Sequence, residues 1–253
     1  MSKGLGITQV INGLTIGGSN TAATVRAPTS GDHSSALAFT GTLIQTDDGR
    51  YYRYFKANEA IAINMVVTFL SDITITNATA AASDNTLSDT GSFTADRYNI
   101  VQDDWYVGLN GNTGAGQVRK IISNTADVLT LDTAWATAID TTTDGITFSP
   151  YVVEQADAAN EKVIGVAISA ITSGQYGWFQ THGFCPLVRF AGDTDPSAAH
   201  EGLVSSATSG VAKGLTTAGT TADEADKAFG YAYYAYAVAD VAARGVAAFL
   251  KCE

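Results

Sequence analysis

Three histidines, two cysteines and twenty-five carboxylates are the side chains of this sequence that could carry chemistry. His182 and Cys185 form an H-x-x-C pair. A zinc site needs about four ligands, and neither His33, His200 nor Cys252 stands at a spacing that completes one. His182 is therefore read as a packed or rim side chain. Asp193, Asp195, His200 and Glu201 cluster along the chain, a set that suits an oxygen-rich cation site or an acid–base pair. Asp195 before Pro196 is also a helix N-cap followed by a first-turn proline. A short helix through His200 with a solvated face is the stronger reading. Asp47-Asp48 and Asp103-Asp104 read as turn residues.

Gly111-x-x-Gly114-x-Gly116 has the outline of a phosphate loop. It lacks the following Lys-Ser/Thr and runs into the strand-type sequence Val118–Ile122 rather than a helix. No G-x-S-x-G nucleophile turn is present, and no Cys–His pair carries signs of activation. The expectation is a non-enzyme with no catalytic residue, metal or cofactor. Tyr51-Tyr52-Tyr54-Phe55 and Tyr231-Tyr233-Tyr234-Tyr236 could stack sugars or bases. Such runs more often build cores and contacts, where tyrosine is enriched. Tyr231, Tyr233, Tyr234 and Tyr236 are accordingly expected at an oligomer interface.

The 253 residues suffice for one large β domain or two small ones, and 45% hydrophobic content supports a real core. Net charge is −11 and the pI about 4.5. So acidic a chain repels phosphates and forgoes counterion release, which argues against nucleic acid as a partner. Charged residues are only 15%, a surface composition that suits a protein packed against others. No apolar run approaches the roughly 18 residues of a membrane helix, and no secretory core opens the chain. The expectation is no membrane partner, synthesis in a bacterial cytoplasm, and two reduced thiols at Cys185 and Cys252.

The elements that must position these residues read mainly as strands. Asn160–Phe190 holds three short runs rich in Val, Ile and aromatics, broken by Ser173-Gly174, and reads as a central meander. Gly165 and Gly177, inside the runs, mark a bulge or a close approach. Upstream, Leu43-Ile44, Arg50–Lys56 and Ile61–Leu70 read as strands, the last with a bend near Asn64. Ile73–Thr76 alternates as a half-exposed strand. Residues 77–94 have a loop or linker composition. Tyr98–Phe148 reads as a self-contained set of strands and glycine turns. EQADAANEK (154–162) has good helix formers but spans only one or two turns, which makes it marginal as a helix. Residues 227–250 are open between helix and strand, since alanine favours the first and the tyrosines the second. The echo of Lys162–Ala167 in Lys227–Ala232 tips the reading toward two β hairpins of one kind.

The expected fold is thus mainly β, a compact β-barrel or β-sandwich domain (31–76 and 150–253). It carries an inserted small β module (77–149), an extended N-terminal arm (1–30) and one or two short helices. Along the arm Ile7, Val10, Ile11, Leu14 and Ile16 have no local partner and need another surface to offset the entropy of ordering. An edge strand of the same domain fits that stretch equally well.

VIGVAISAITSGQYGWFQTHG (163–183), with RYFKANEAIAINMVVTF (53–69), resembles the capsid decoration, or cement, proteins of tailed bacteriophages. GAGQVRKIISNTADVLTLDTAW (114–135) is similar to a β module that recurs in phage head and tail proteins. The resemblance implies a β-rich structural protein on the outer surface of the virion head that clamps neighbouring major capsid subunits. It also implies self-association, a homotrimer ahead of a homodimer, and capsid contact through the arm. A receptor- or glycan-binding virion protein, with Trp105 and Trp135 facing outward from the inserted module, is the alternative.

Overall fold

The computed structural model describes residues 33–34, 38–81, 83–98, 104–159, 161–190, 201–215, 227–234 and 245–252. Among these residues the regular elements are strands, with no helix. The chain divides into two compact units: Met1–Thr68 with Val153–Glu253, and Phe69–Val152. Two strands, β3 (Val66–Ile75) and β8 (Asp144–Gln155), run from one unit into the other.

The first unit is built on a five-stranded barrel. β2 (Tyr51–Ala57) pairs with β10 (Tyr176–Val188), β10 with β9 (Gly165–Ala167), β9 with β3, β3 with β8, and β8 with β2 again. One buried cluster draws on every strand of this ring: Phe55, Ala57, Phe179, Ala167, Val67 and Val153, joined by Ile61, Ile164 and Ile171. A barrel this small is filled by side chains. Phe55 and Phe179 meet with ring centroids 5.9 Å apart.

A reciprocal pair closes one end of the barrel. The Ile61 amide donates to the Ile171 carbonyl and the Ile171 amide to the Ile61 carbonyl, both at 2.8 Å. The hairpins around them repeat each other. Ala57 N donates to Gln175 O at 2.8 Å, and Ala167 N to Met65 O at 2.9 Å. Asn64 N donates to Ala167 O and Gly174 N to Ala57 O, each at 2.8 Å. Asn64 (φ 67°) and Gly174 (φ 77°) hold the matching left-handed turn positions, where Asn and Gly carry the lowest steric cost. The sequence-based bend near Asn64 is therefore a tight turn, and β3 starts at Val66 after it. Gly177 makes room for this closure: a Cβ there would lie 2.4 Å from Ile171 Cδ1.

Beyond the barrel, β10 continues as the edge of a second sheet. It pairs with β14 (Val246–Lys251), then β13 (Gly230–Ala232), β11 (Gly202–Ser205) and β12 (Ala212–Gly214). The described part of the undecided C-terminal segment is strand, and the sequence echo has a structural counterpart. β9 pairs antiparallel with β10, and β13 antiparallel with β14. A second core cluster, including Val166, Cys185, Val188, Leu203, Phe229 and Leu250, lies on one face of this sheet. β1 (Leu43–Gln45) pairs with β2, and Ile44, Tyr52, Tyr54, Tyr176 and Trp178 form a third cluster.

The helix expected over 154–162 is not formed at its described positions. β8 runs to Gln155, and the amides that a helix would use are taken by side chains. Glu161 Oε2 accepts from Asp157 N and Ala158 N at 2.9 and 3.2 Å, and Ser205 Oγ accepts from Glu161 N at 2.6 Å. The helix expected from Asp195 to His200 lies outside the described residues.

The unit Phe69–Val152 has its own core. β5 (Tyr106–Gly111) pairs with β8 and β6 (Val118–Asn124), β6 with β7 (Val128–Leu131), and β7 with β4 (Thr86–Ser88). The stretch read as a linker thus contains a strand, because Leu87 is fully buried with Leu129, Trp135 and Tyr98. Asp72 accepts from Arg97 Nη2 at 2.6 Å and from Arg97 Nε, and from the Tyr98 hydroxyl at 2.8 Å. Both partners are part-exposed, Arg97 at 35% and Asp72 at 15%, so the pair ties the unit together geometrically and adds only modest stability.

Truncating Phe179 to Ala should lower unfolding free energy by about 3–5 kcal/mol, read as a reduced urea midpoint at unchanged slope. A loss below about 1 kcal/mol would contradict the packed barrel interior.

Candidate functional site

Register decides which side chains share a surface. Directly opposed residues of paired strands point to the same face. Tyr51 opposes His182, His182 opposes Lys251, Phe184 opposes Phe249, and Tyr231 opposes Phe249. These residues line the face of the second sheet opposite Cys185, Ala232, Val246, Ala248 and Leu250, which fill its core side. Their rings touch in series. Tyr51 meets His182 at 5.3 Å and 87°, His182 meets Phe249 at 5.5 Å and 80°, and Phe249 stacks on Tyr231 at 5.4 Å and 11°. Phe184 meets Tyr233 at 5.6 Å, and Tyr233 meets Tyr234 at 5.2 Å. Tyr234 is 59% exposed, Phe184 45%, Tyr233 43% and Tyr231 36%. Exposed aromatics of this number in mutual contact make a patch rather than scattered surface residues.

The electrostatics of the face are unusual for so acidic a chain. β2, β10, β13 and β14 contain no Asp or Glu, and Arg53 and Lys251 lie on the side of Tyr51, while Lys56 opposes Tyr176 on the other. The faces of Tyr231 and Phe249 are used on each other, and the remaining contacts are edge-on or tilted. What the patch offers is ring edges, hydroxyls and a few cations. That suits a protein contact better than a sugar, which stacks on an open ring face.

Three of the four tyrosines expected at an interface are therefore on this exposed face. Tyr236 lies outside the described residues, as do Ile7, Val10, Ile11, Leu14 and Ile16. Sequence reasoning named Tyr51 only as a stacking candidate and His182 only as a packed or rim side chain, and it did not single out Phe184 or Phe249. The signal was the alternation of His182 and Phe184, which becomes readable only once the partner strands are known.

The other candidates separate. His182 stands on the aromatic face, whereas Cys185 is buried in the core opposite. The H-x-x-C pair therefore does not converge. Burial raises the Cys185 thiol to about 11, so it is held as an inert thiol at neutral pH. Asp193, Asp195 and His200 are outside the described residues. Asp48 is the turn residue expected. The Arg50 guanidinium bonded to it, helped by the Thr46 hydroxyl, holds its carboxyl far below the ordinary range. Asp104 contacts Lys120 Nζ. The Gly111–Gly116 stretch is the turn between β5 and β6, tied by Gly116 N to Leu109 O at 2.7 Å. Among the described residues no three His, Cys, Asp or Glu side chains gather into a metal-binding group, and no helix is long and apolar enough to cross a membrane.

Tyr52 and Tyr54 are core residues, 1% and 0% exposed, so the first tyrosine group offers no stacking platform. Trp105 and Trp135, at 5% and 1%, do not face outward as the glycan-binding alternative required. Arg97 and Arg119 lie over their rings at 5.8 and 5.4 Å, and Trp135 Nε1 donates to Thr86 O at 2.9 Å. No family model, curated protein or solved structure matches the chain.

Burial raises Tyr52 from an ordinary 10 to about 12, and burial raises Tyr98 in the same direction. The fold therefore holds both phenols neutral. Above about pH 10 the unfolded chain ionises first, so this contribution, complete below that pH, declines until the folded phenols ionise too. Unfolding free energies from urea titration should fall from about pH 10 to 12, by up to ~1.4 kcal/mol per pH unit for each tyrosine. Tyr52→Phe should shallow that fall, and an unchanged slope would contradict the assignment.

Proposed function

We propose that this chain is a non-catalytic structural virion protein that binds the outer surface of a tailed-phage head and cements neighbouring major capsid subunits. The observation that carries this reading is the exposed aromatic face on strands that hold no carboxylate. It is a surface made for association rather than for a reaction. The likeness of residues 53–69 and 163–183 to decoration proteins supplies the identity of the partner. Net charge of −11 suits the exterior of a particle rather than a surface facing packaged nucleic acid.

In this reading residues 1–30 supply the shell contact. Their apolar side chains, Ile7, Val10, Ile11, Leu14 and Ile16, add to an exposed sheet edge of the capsid in the manner of β-strand addition. The aromatic face, with Tyr231, Tyr233 and Tyr234, joins copies of the chain into a homo-oligomer, Tyr236 being the fourth tyrosine of that run in the sequence. Several modest contacts engaged together then hold far more tightly than any one of them. Binding of this kind leaves no chemical product and needs no cofactor.

Deleting Met1–Ser30 should leave a folded, soluble oligomer that no longer co-sediments with heads assembled from the cognate major capsid protein. Retention of head binding by the truncated chain would contradict the arm as the shell contact. Failure of the truncated chain to fold would make the stretch an edge strand instead.

A further inference from the structure

Among the described residues, β1, β4 and β12 each have a named strand on one side only. Two of these outer edges are covered by other chain. Thr79 bonds the far side of β4, its amide donating to Ser88 O at 2.9 Å and its carbonyl accepting from Ser88 N at 3.0 Å. Arg189 covers β12, its carbonyl accepting from Ala212 N at 2.9 Å. The edge of β1 is left open. Thr42 and Thr46, on either side of it, face β2: Thr42 O accepts from Tyr54 N at 3.1 Å, and Thr46 N donates to Arg50 O at 2.9 Å. Backbone groups alternate between the two sides of a strand, so Ile44, which opposes Tyr52, also faces β2. The amides and carbonyls of Leu43 and Gln45 point the other way, and no described residue bonds them there.

An unpaired edge is a template for another strand, and soluble proteins shield one with lysine, proline or a bulge. Leu43-Ile44-Gln45 has none of these, and Leu43 is 44% exposed. Just before it Phe39 stands 91% exposed, and a hydrogen-bonded turn holds it there. Thr42 N and Thr42 Oγ1 both donate to Phe39 O, at 3.0 and 2.5 Å, and Gly41 N donates to Tyr54 O at 2.7 Å. A phenylalanine held in solvent beside an open edge supplies the aromatic side chain that contact surfaces are enriched in.

We propose that two copies of this chain pair edge to edge through β1, antiparallel about a two-fold axis at Ile44. The edge itself selects this occupant. β1 runs into a turn on both sides, Thr42 N bonding Phe39 O and Gly49 N bonding Thr46 O, each at 3.0 Å, so the strand that matches its whole length is one as short as β1. With the axis at Ile44, Leu43 opposes Gln45 of the other copy. The outward amide and carbonyl of each then meet the outward carbonyl and amide of the other, and every open backbone group of β1 has a partner. The contact is isologous, one self-complementary patch used by both copies. Continued in register, it sets Gly41 against Asp47 of the other copy, where the missing side chain leaves room for the turn. The acidic Asp47-Asp48 turns stand at opposite ends of the contact, whereas parallel pairing would set them side by side. Gln45 opposes Tyr51 within each chain, so the Tyr51 side chains of both copies lie on one side of the joined sheet. This contact goes beyond the adhesive reading above and uses neither the aromatic face nor a head.

Cross-linking reads the register directly, with Tyr234→Asp carried in every chain so that the aromatic face is disabled and the result belongs to β1 alone. Leu43 of one copy and Gln45 of the other would have Cα atoms about 5.5 Å apart, within the reach of a disulfide. Under mild oxidation an equimolar mixture of Leu43→Cys and Gln45→Cys should cross-link to twice the 26.3 kDa chain mass. Either variant alone should cross-link far less, because a residue and its own copy are diagonal neighbours about 7–8 Å apart. The chain without either substitution, whose two cysteines are buried, should not cross-link. Gln45→Pro removes one outward N–H and keeps the bonds to β2, as proline permits on an edge. It should keep the circular dichroism and urea midpoint of its parent and weaken self-association roughly thirtyfold in sedimentation velocity, one backbone bond being lost at each end of the contact. A monomeric parent, a mixture that does not cross-link, equal cross-linking by either cysteine variant alone, or a folded Gln45→Pro chain that dimerises as its parent does overturns the inference.

Discussion

The reciprocal backbone pair between Ile61 and Ile171 is the constraint on which the first unit depends. It locks two hairpins of matching geometry at one end of the barrel, and the buried side chains of both residues join the barrel core. Buried amides and carbonyls must find partners, and here each hairpin supplies what the other lacks. Asn64 and Gly174 allow the turns, and Gly177 leaves the space that Ile171 fills. With that end closed, β10 is fixed by β2 on one side and β9 on the other. Its continuation past the register shift at Gln180/His182 then has a defined face. The exposed rings are a consequence of this geometry: the shift decides that His182 and Phe184 look outward while Cys185 looks inward.

The surface produced in this way is chemically plain but physically specific. Among the described residues no three His, Cys, Asp or Glu converge on it, and the rings already contact one another, so little side-chain freedom remains to be lost when a partner arrives. The strands beneath carry cations and no carboxylates in a chain with nearly twice as many acids as bases. In the other unit Ile146 and Phe148 are half-buried on the outer side of β8, because on its inner face buried Thr147 holds Tyr98 and the Ile73 amide.

Much of the strand content was legible in the residues, because Val, Ile and aromatic runs bounded by Gly and Asp-Gly turns have few other solutions. β2, β9, β10 and the β5–β6 turn all lie where those signals stand. The echo between 162–167 and 227–232 also pointed to real hairpins. The closer repeat, around Ile61 and Ile171, shares only the short word A-x-x-A-I (57–61 and 167–171) before its turn positions diverge: Asn64 matches Gly174 and Met65 matches Gln175. Local propensity misled at 154–162, where Glu161 and Ser205 claim the amides a helix would need. It also misled at 77–94, where a polar composition conceals the core residues Ala78, Leu87 and Phe93, the second of which sits in a strand. The candidate site was half legible. A run of tyrosines marks part of the exposed face, but the side chains that join them come from strands paired at long range, and no local pattern reports a register.

The claim that this chain works by adhesion through its aromatic face is tested most directly by covalent footprinting of aromatic side chains, comparing the isolated chain under monomeric conditions with the chain assembled on heads. Phe184, Tyr231 and Tyr234 should be modified in the free chain and protected on the particle, while buried Tyr52 and Tyr54 stay unmodified in both. Equal modification of Phe184, Tyr231 and Tyr234 in the two states would contradict the account.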